Sequence, residues 1–208
     1  QPSPGEPVHA AEIRALPELP TALSNLDLPT IQECLDWMEK EQAPANLLAH
    51  VRAVAGAAYT LAVWLREAGQ PVDPILTHRG GLLHDLDKLS SRQTGERHGE
   101  RSARLLRAKG QPALAEIARR HILSTLLDPA VSPATWEQKL VFYADKLVEG
   151  SQVGSLDRRL EALYTRYPQY AGQMRQAVPA LQALETEICS LLSLTPQDLV
   201  ARLTGASL

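Results

Sequence analysis

The sequence predicts an all-α fold, an irregular bundle of about eight helices around one core. Three observations carry that prediction. Apolar residues recur at three- and four-residue steps in one segment after another, the period of a helix with one buried face. Pro, Gly, Asp and Ser punctuate the gaps between these segments, where helices start and stop. Sustained two-residue alternation, hairpin dipeptides between apolar runs and internal repeats are all missing, so nothing argues for a sheet or a solenoid. With 208 residues, 44% apolar and 22% charged, the chain has enough material for one globular core. Aromatic residues are only 4%, so that core must be built from Leu, Ala, Val and Ile.

Residues 1–22 carry Pro2, Pro4, Pro7, Pro17 and Pro20 and read as a Pro-rich arm or linker. His9 lies in this arm and takes no role. Residues 23–208 read as a single helical domain with a C-terminal helical extension. A first short helix runs from about Leu23 to Glu41, on Ile31, Leu35 and Met38. Leu47, Val51, Val54, Ala58, Leu61 and Leu65 mark a longer one, ended by Gly69 and Pro71, with His50 beside its apolar face. Asp73-Pro74 is an N-cap followed by a first-turn proline, and the helix it starts delivers His84 and Asp85 near its end.

Ser90 to Arg97 reads as a polar loop, and His98 to Lys109 as a helix closed by Gly110. Pro112 begins another helix that ends at His121. Ser132-Pro133 starts the next, with Asp145 inside its apolar stretch. Leu156, Leu160 and Leu163 mark a further helix up to Pro168. The last long helix runs from about Tyr170 to Leu192, where Pro179 kinks or divides it. Thr195-Pro196-Gln197-Asp198 has the form of a capping box before a short final helix.

Charge and cysteine content narrow the function. A net charge of −3 argues against a generally basic nucleic-acid surface but allows a local phosphate pocket. No stretch approaches the ~20 apolar residues of a membrane span. The expected setting is cytoplasmic, with no membrane and no nucleic acid as partners. Cys34 and Cys189 lack metal or redox spacing and read as two buried free thiols. The chain begins at Gln1 and its methionines are Met38 and Met174, which leaves open a longer parent sequence.

The chemistry centres on Gly80-Gly81-Leu82-Leu83-His84-Asp85-Leu86-Asp87-Lys88. A neutral imidazole and a carboxylate both suit a borderline divalent metal. Adjacent residues point in different directions, so other segments must complete a site: His50, His98, His121 and Asp145 are the candidates. Taken singly, each is more simply a helix cap or a solvated residue. As a set they are harder to dismiss, because His84-Asp85 and Asp145 lie in apolar runs where packing would not place them. His78 reads as a surface residue, and Trp64, Trp136, Tyr59 and Tyr143 as core or pocket wall. GxSxG, HExxH and GxxxxGK[ST] are absent.

The order His50, then His84-Asp85, then Asp145 resembles the HD superfamily of metal-dependent phosphohydrolases. Leu83-His84-Asp85-Leu86-Asp87-Lys88 is similar to that family's signature, and Ala144-Asp145-Lys146 to its closing element. His98-Gly99-Glu100-Arg101-Ser102-Ala103 resembles the helix start of members that hold two metals. Tyr143 to Leu160 resembles HD domains attached behind nucleotidyltransferase domains, which implies an upstream domain. Asp87 departs from the pattern: many relatives have Gly there, and the carboxylate adds negative charge near the site.

The resemblance implies a first metal on His50, His84, Asp85 and Asp145, and a second on Asp85, His98 and His121. It implies a divalent transition metal (Mn, Fe, Co, Ni or Zn, with Mg a further candidate) and cleavage of a phosphate ester or anhydride by a metal-activated hydroxide. The substrate would be a small phosphate compound, foremost a nucleotide. Asp85 and Lys88 would be catalytic. Lys88, Arg92 and Arg97 would hold the phosphate, although each also reads as an ordinary surface charge; Lys146 reads as structural. A homodimer stays open. Two other readings fit the same ligand set: a regulatory module that binds metal or nucleotide without turnover, and a di-iron oxygenase.

Overall fold

The most apolar stretch of the sequence becomes the helix around which the others pack. The computed structural model describes residues 26–205, and the expected arm over 1–22, His9 included, lies outside the described residues. The described residues form ten α-helices: α1 Ile31–Lys40, α2 Ala45–Glu67, α3 Pro74–Leu83, α4 Ser90–Thr94, α5 Glu100–Ala108, α6 Pro112–Arg119, α7 Trp136–Leu147, α8 Leu156–Arg166, α9 Ala171–Leu192 and α10 Pro196–Thr204. Two short 3-10 segments, Leu123–Leu127 and Pro168–Tyr170, join them. The chain is all-α, as its apolar periodicity predicts.

Helix α2 touches both of the molecule's apolar clusters. Its first half packs with α1, α3, α5 and α6 around Met38, Val51, Leu82, Leu106 and Ile117. Its second half, through Leu61 and Leu65, packs with α7 to α10 around Phe142, Tyr143, Leu181 and Ile188. By length and composition α2 could cross a membrane, which corrects the expectation that no stretch approaches a span. In the fold, 72% of its most apolar window is buried.

The α2–α3 contact sets the position of everything that follows. A Cβ on Gly81 would lie 2.5 Å from Ala55 Cα, and one on Gly80 would lie 2.8 Å from Ile117 Cδ1. Gly81 therefore lets α3 approach the α2 backbone more closely than any side chain would allow, and Gly80 makes room for the Ile117 side chain of α6. Buried on nearly all sides, α3 also encloses His78, which corrects its assignment to the surface. His78 Nδ1 accepts from Arg79 Nη1 at 3.0 Å, and its ring meets Tyr59 edge-on.

Local signals explain most helix ends. Thr30 and Glu33 form a capping box on α1, and Asp73 caps α3 by accepting from the Ile75 and Leu76 amides. Helix α7 starts three residues later than Ser132-Pro133 suggests, because Thr135 and Gln138 form its capping box. The expected polar loop contains the short α4, closed by Gly95 with φ 72°. Pro179 neither ends nor divides α9, which is continuous from Ala171 to Leu192. It sits on the exposed face, where the carbonyl left unbonded four residues earlier can be hydrated.

After α7 the chain makes a tight antiparallel turn that pairs Val148 with Val153 and Glu149 with Gln152. This ladder has no counterpart in the sequence reading: two residues per strand are too few to show alternation. Gly150, with φ 61°, makes the reversal possible. Cys34 and Cys189 are buried free thiols, as expected.

Candidate metal centre

Helix ends build the centre. The last turn of an α-helix leaves carbonyl groups without intrahelical partners. His84, the C-cap of α3, uses its Nδ1–H to bond the Gly81 carbonyl at 2.8 Å. His121, just beyond α6, bonds the Ala118 carbonyl in the same way at 2.6 Å. His50 donates Nδ1–H to the Gly150 carbonyl at 2.9 Å, which gives the tight turn its place in the site. A carbonyl can only accept, so Nδ1 carries the proton in all three neutral rings, and Nε2 presents a lone pair.

His98 is held differently, by a carboxylate. Its Nδ1 lies 2.5 Å from Asp87 Oδ1. Asp87 also accepts the Gly99 and Ser102 amides, each at 2.9 Å, and its own amide donates to Ser102 Oγ. Asp87 is thus the cap of α5, buried and turned away from solvent. The negative charge that Asp87 adds near the site is thus turned to a helix start and an imidazole. Burial works to raise its pKa, but His98 and the two amides hold it below the usual carboxylate range.

The four Nε2 atoms converge on two buried carboxylates. Asp85 divides its oxygens between them. Oδ1 lies 2.9 Å from His98 Nε2 and 3.3 Å from His121 Nε2, while Oδ2 lies 3.6 Å from His84 Nε2 and 4.0 Å from His50 Nε2. Asp145, reaching in from α7, sets its Oδ1 3.1 Å from His50 and 3.7 Å from His84. Ligand atoms of His50, His84 and Asp85 lie within 4.8 Å of one another, as do those of Asp85, His98 and His121.

These donors suit a divalent metal. In the neutral rings of His50, His84 and His121 the Nε2 lone pair faces a carboxylate oxygen at 3.1, 3.6 and 3.3 Å, which repels unless a cation lies between them. His84 Nε2 is fully buried and has no hydrogen-bond partner. Nitrogen and oxygen donors without thiolate fit first-row metals of borderline character. Burial raises the pKa of Asp85, yet Lys88, His84, His121 and His98 outweigh it and keep the carboxyl well below its ordinary value. Burial opposes the charge on His98, but Asp85 and Asp87 raise its pKa to about 9. Burial, reinforced by His98, pushes His121 down to about 4 despite the Asp85 carboxylate beside it.

Three cations surround the carboxylates. Lys88 Nζ bonds both Asp85 oxygens, at 2.9 and 3.2 Å, and its side chain remains 32% exposed. Lys146 is buried, pairs with Asp145 Oδ2 and donates to the His121 carbonyl at 2.9 Å. It is the structural residue that the sequence suggests, and it ties α7 to the segment carrying His121. Arg159 on α8 is also buried, pairs with Glu149 and lies 3.5 Å from Asp145 Oδ1.

The centre opens on two clefts that share Lys88, Arg92 and Arg159. One, of about 410 Å³, lies toward His50 and is walled by Asn46, Glu149, Gly150 and Arg166. The other, of about 350 Å³, lies toward His98 and His121 and is walled by Leu163, Tyr167, Tyr170 and Met174. Arg97 lines neither; with Glu100 and Arg119 it lines a small depression on another side of His98. Arg159, which has no role in the sequence reading, lines both clefts. Its charge in an otherwise amphipathic α8 looks like surface until the fold brings it against Asp145.

A helical frame that aims four imidazoles and two carboxylates at one point defines a protein able to hold divalent metal. The chain belongs to the HD domain family, which matches residues 47–149, from early α2 through the first strand of the turn. All six candidate ligands lie in that span. Members of this family are generally metal-dependent hydrolases. A relative in Methanocaldococcus jannaschii, named only as an uncharacterized protein, is 32% identical over 164 residues, covering 74% of this chain and 94% of its own length. No solved structure matches.

Proposed function

We propose that the chain is a phosphohydrolase that cleaves a phosphate ester or anhydride of a small molecule, foremost a nucleotide. One observation carries this reading: Asp85 offers one oxygen to His50 and His84 and the other to His98 and His121, at the meeting point of two clefts rimmed by cations. His50, His84, Asp85 and Asp145 would hold one metal, and Asp85, His98 and His121 a second. Bound there, divalent metal supplies a water of lowered pKa and Lewis acidity toward phosphoryl oxygens.

The chain's own groups supply the rest. The depressed pKa of Asp85 keeps it an anionic ligand rather than an acid. Lys88 exchanges one Asp85 oxygen for a phosphoryl oxygen and neutralises charge that builds there in the transition state. Arg92 and Arg159 orient the phosphate from the shared rim, Arg159 as a planar donor held in place by Glu149. Tying all four Nδ1 atoms fixes ring orientation in advance, so little reorganisation is needed when substrate arrives.

The test is elemental analysis of purified protein, followed by a panel of nucleotides and other phosphate esters with added Mn, Co, Ni, Mg and Zn. The reading expects metal in the protein and metal-dependent phosphate or nucleotide release. Tight nucleotide binding without turnover would replace it with the regulatory module. Bound iron with oxygen consumption would replace it with the oxygenase.

A further inference from the structure

The two clefts differ in kind, and the difference bears on which end of the substrate goes where. In the polar cleft Glu149 pairs with Arg159 Nη1 through one oxygen and with Arg166 through the other. The second cleft is mostly apolar. Leu163, Tyr167, Tyr170 and Met174 form its outer wall, and Ile122 and Leu123 line it from the opposite segment.

Two details mark this second cleft as a built seat rather than a gap between helices. Tyr170 is 54% exposed, an uncovered aromatic ring at its wall. Tyr167 is held at the rim, its hydroxyl accepting from Arg92 Nη2 at 3.3 Å. Between the cleft and the metal centre lies Arg159, only 7% exposed, whose buried Nε has no hydrogen-bond partner. A buried donor of this kind needs an acceptor, and a phosphate oxygen is the acceptor that a guanidinium suits best.

We infer that the organic group of the substrate sits between the α8–α9 wall and the Ile122-Leu123 segment with an aromatic ring against Tyr167 and Tyr170, while its phosphate accepts a hydrogen bond from Arg159 Nε. The substrate class is therefore a phosphate ester whose organic group carries an aromatic or heteroaromatic ring. A cleft of about 350 Å³ lies at the small end of ligand sites and takes one ring system with its sugar or linker, not a polymer. Tyrosine faces accept any flat ring, so shape and stacking select the substrate here more than base-specific bonds. The four wall residues lie beyond the family match at 47–149, so specificity comes from a part of the chain outside the residues that define the family. The inference rests on the phosphohydrolase reading for the phosphate, but the ring seat can be measured without it.

The experiment compares thymidine 5′-monophosphate and p-nitrophenyl phosphate with glycerol 2-phosphate, using wild type and Tyr170→Ser. Wild type is expected to hydrolyse thymidine 5′-monophosphate with kcat/KM at least about tenfold above glycerol 2-phosphate, an ester whose alkoxide leaving group is of similar basicity, the discrimination one stacked ring supplies; p-nitrophenyl phosphate, whose phenoxide leaves more readily, is read by its KM. Tyr170→Ser is expected to raise KM for the aromatic esters at least about fivefold on the same grounds, leave their kcat within about twofold, and leave glycerol 2-phosphate unchanged. Equal kcat/KM for thymidine 5′-monophosphate and glycerol 2-phosphate would overturn the inference, as would a KM increase shared equally by glycerol 2-phosphate. Equilibrium dialysis of labelled thymidine reads the seat without turnover. Binding to wild type that is lost in Tyr170→Ser supports it, and no binding to wild type overturns it. Should no ester be hydrolysed, the phosphohydrolase reading fails and the dialysis still decides the seat.

Discussion

The two halves of the metal centre are built by different means. On one side, His50 and Asp145 come from within the long helices α2 and α7, and His84 caps α3. Their side chains are 11%, 8% and 0% exposed, and both imidazoles are aimed by main-chain carbonyls. On the other side, His121 is buried and aimed by the Ala118 carbonyl, but His98 lies between helices, its side chain 28% exposed and aimed by the Asp87 carboxylate. One half is preorganised by packing alone, the other by packing at His121 and by charge at His98. A carboxylate makes its imidazole more basic and a stronger metal donor, but the same exposure eases exchange with solvent. The first half should therefore hold its metal the more firmly.

Asp85→Ala tests whether the halves are joined. It removes a group facing both, so both metals should be lost on dialysis against chelator. Hydrolysis should fall by more than about 100-fold, beyond the loss expected for a residue that only supports a ligand. Retention of one full equivalent of metal would show the halves to be independent. Lys146→Met tests the tie between them, since Lys146 bonds Asp145 on one side and the His121 carbonyl on the other. Breaking a buried ion pair by removing one partner costs about 3–5 kcal/mol, here an upper bound because Arg159 stays 3.5 Å from Asp145, and the loss is readable by urea denaturation. A loss under about 1 kcal/mol, the size of an exposed pair, would deny it that role.

Asp87→Asn sharpens the contrast. It keeps the shape of the α5 cap but removes the charge behind His98. Metal titration should show the weaker equivalent falling in affinity by about 10–100-fold, the usual cost of losing such a partner, with the tighter one unchanged. Equal weakening of both would refute the division into a packed and a charged half. Arg97→Gln should do least. Outside both clefts, it should change stability by no more than about 0.5 kcal/mol and leave KM as it was; a large KM rise would restore it to the phosphate site.

The legible parts of the sequence were those with local signatures. The capping pattern at Asp73, the apolar face around His50 and the apolar setting of Asp145 all lie within a few residues of the groups they explain. What could not be read depends on long-range contact. Asp87 looks like a site charge because the amides it caps are 12 and 15 residues away. Arg159 looks like surface because only the return of α8 along α7 brings it to Asp145. His78 carries a signal of its own: α3 has apolar or small residues on nearly every face, and the imidazole among them is buried too.

The meeting of Gly81 with Ala55 has a consequence for how such a protein could change over generations. Many tight contacts can be traded, one partner shrinking as the other grows. Here the obstruction is the Ala55 main chain at 2.5 Å, which no substitution can trim. Position 81 is closed to every other residue while the helices keep their spacing. A lineage or an engineer wishing to shift His84 and Asp85 would have to relocate a whole helix, so novelty should arise in the wall from Leu163 to Met174, where side chains can be exchanged one at a time.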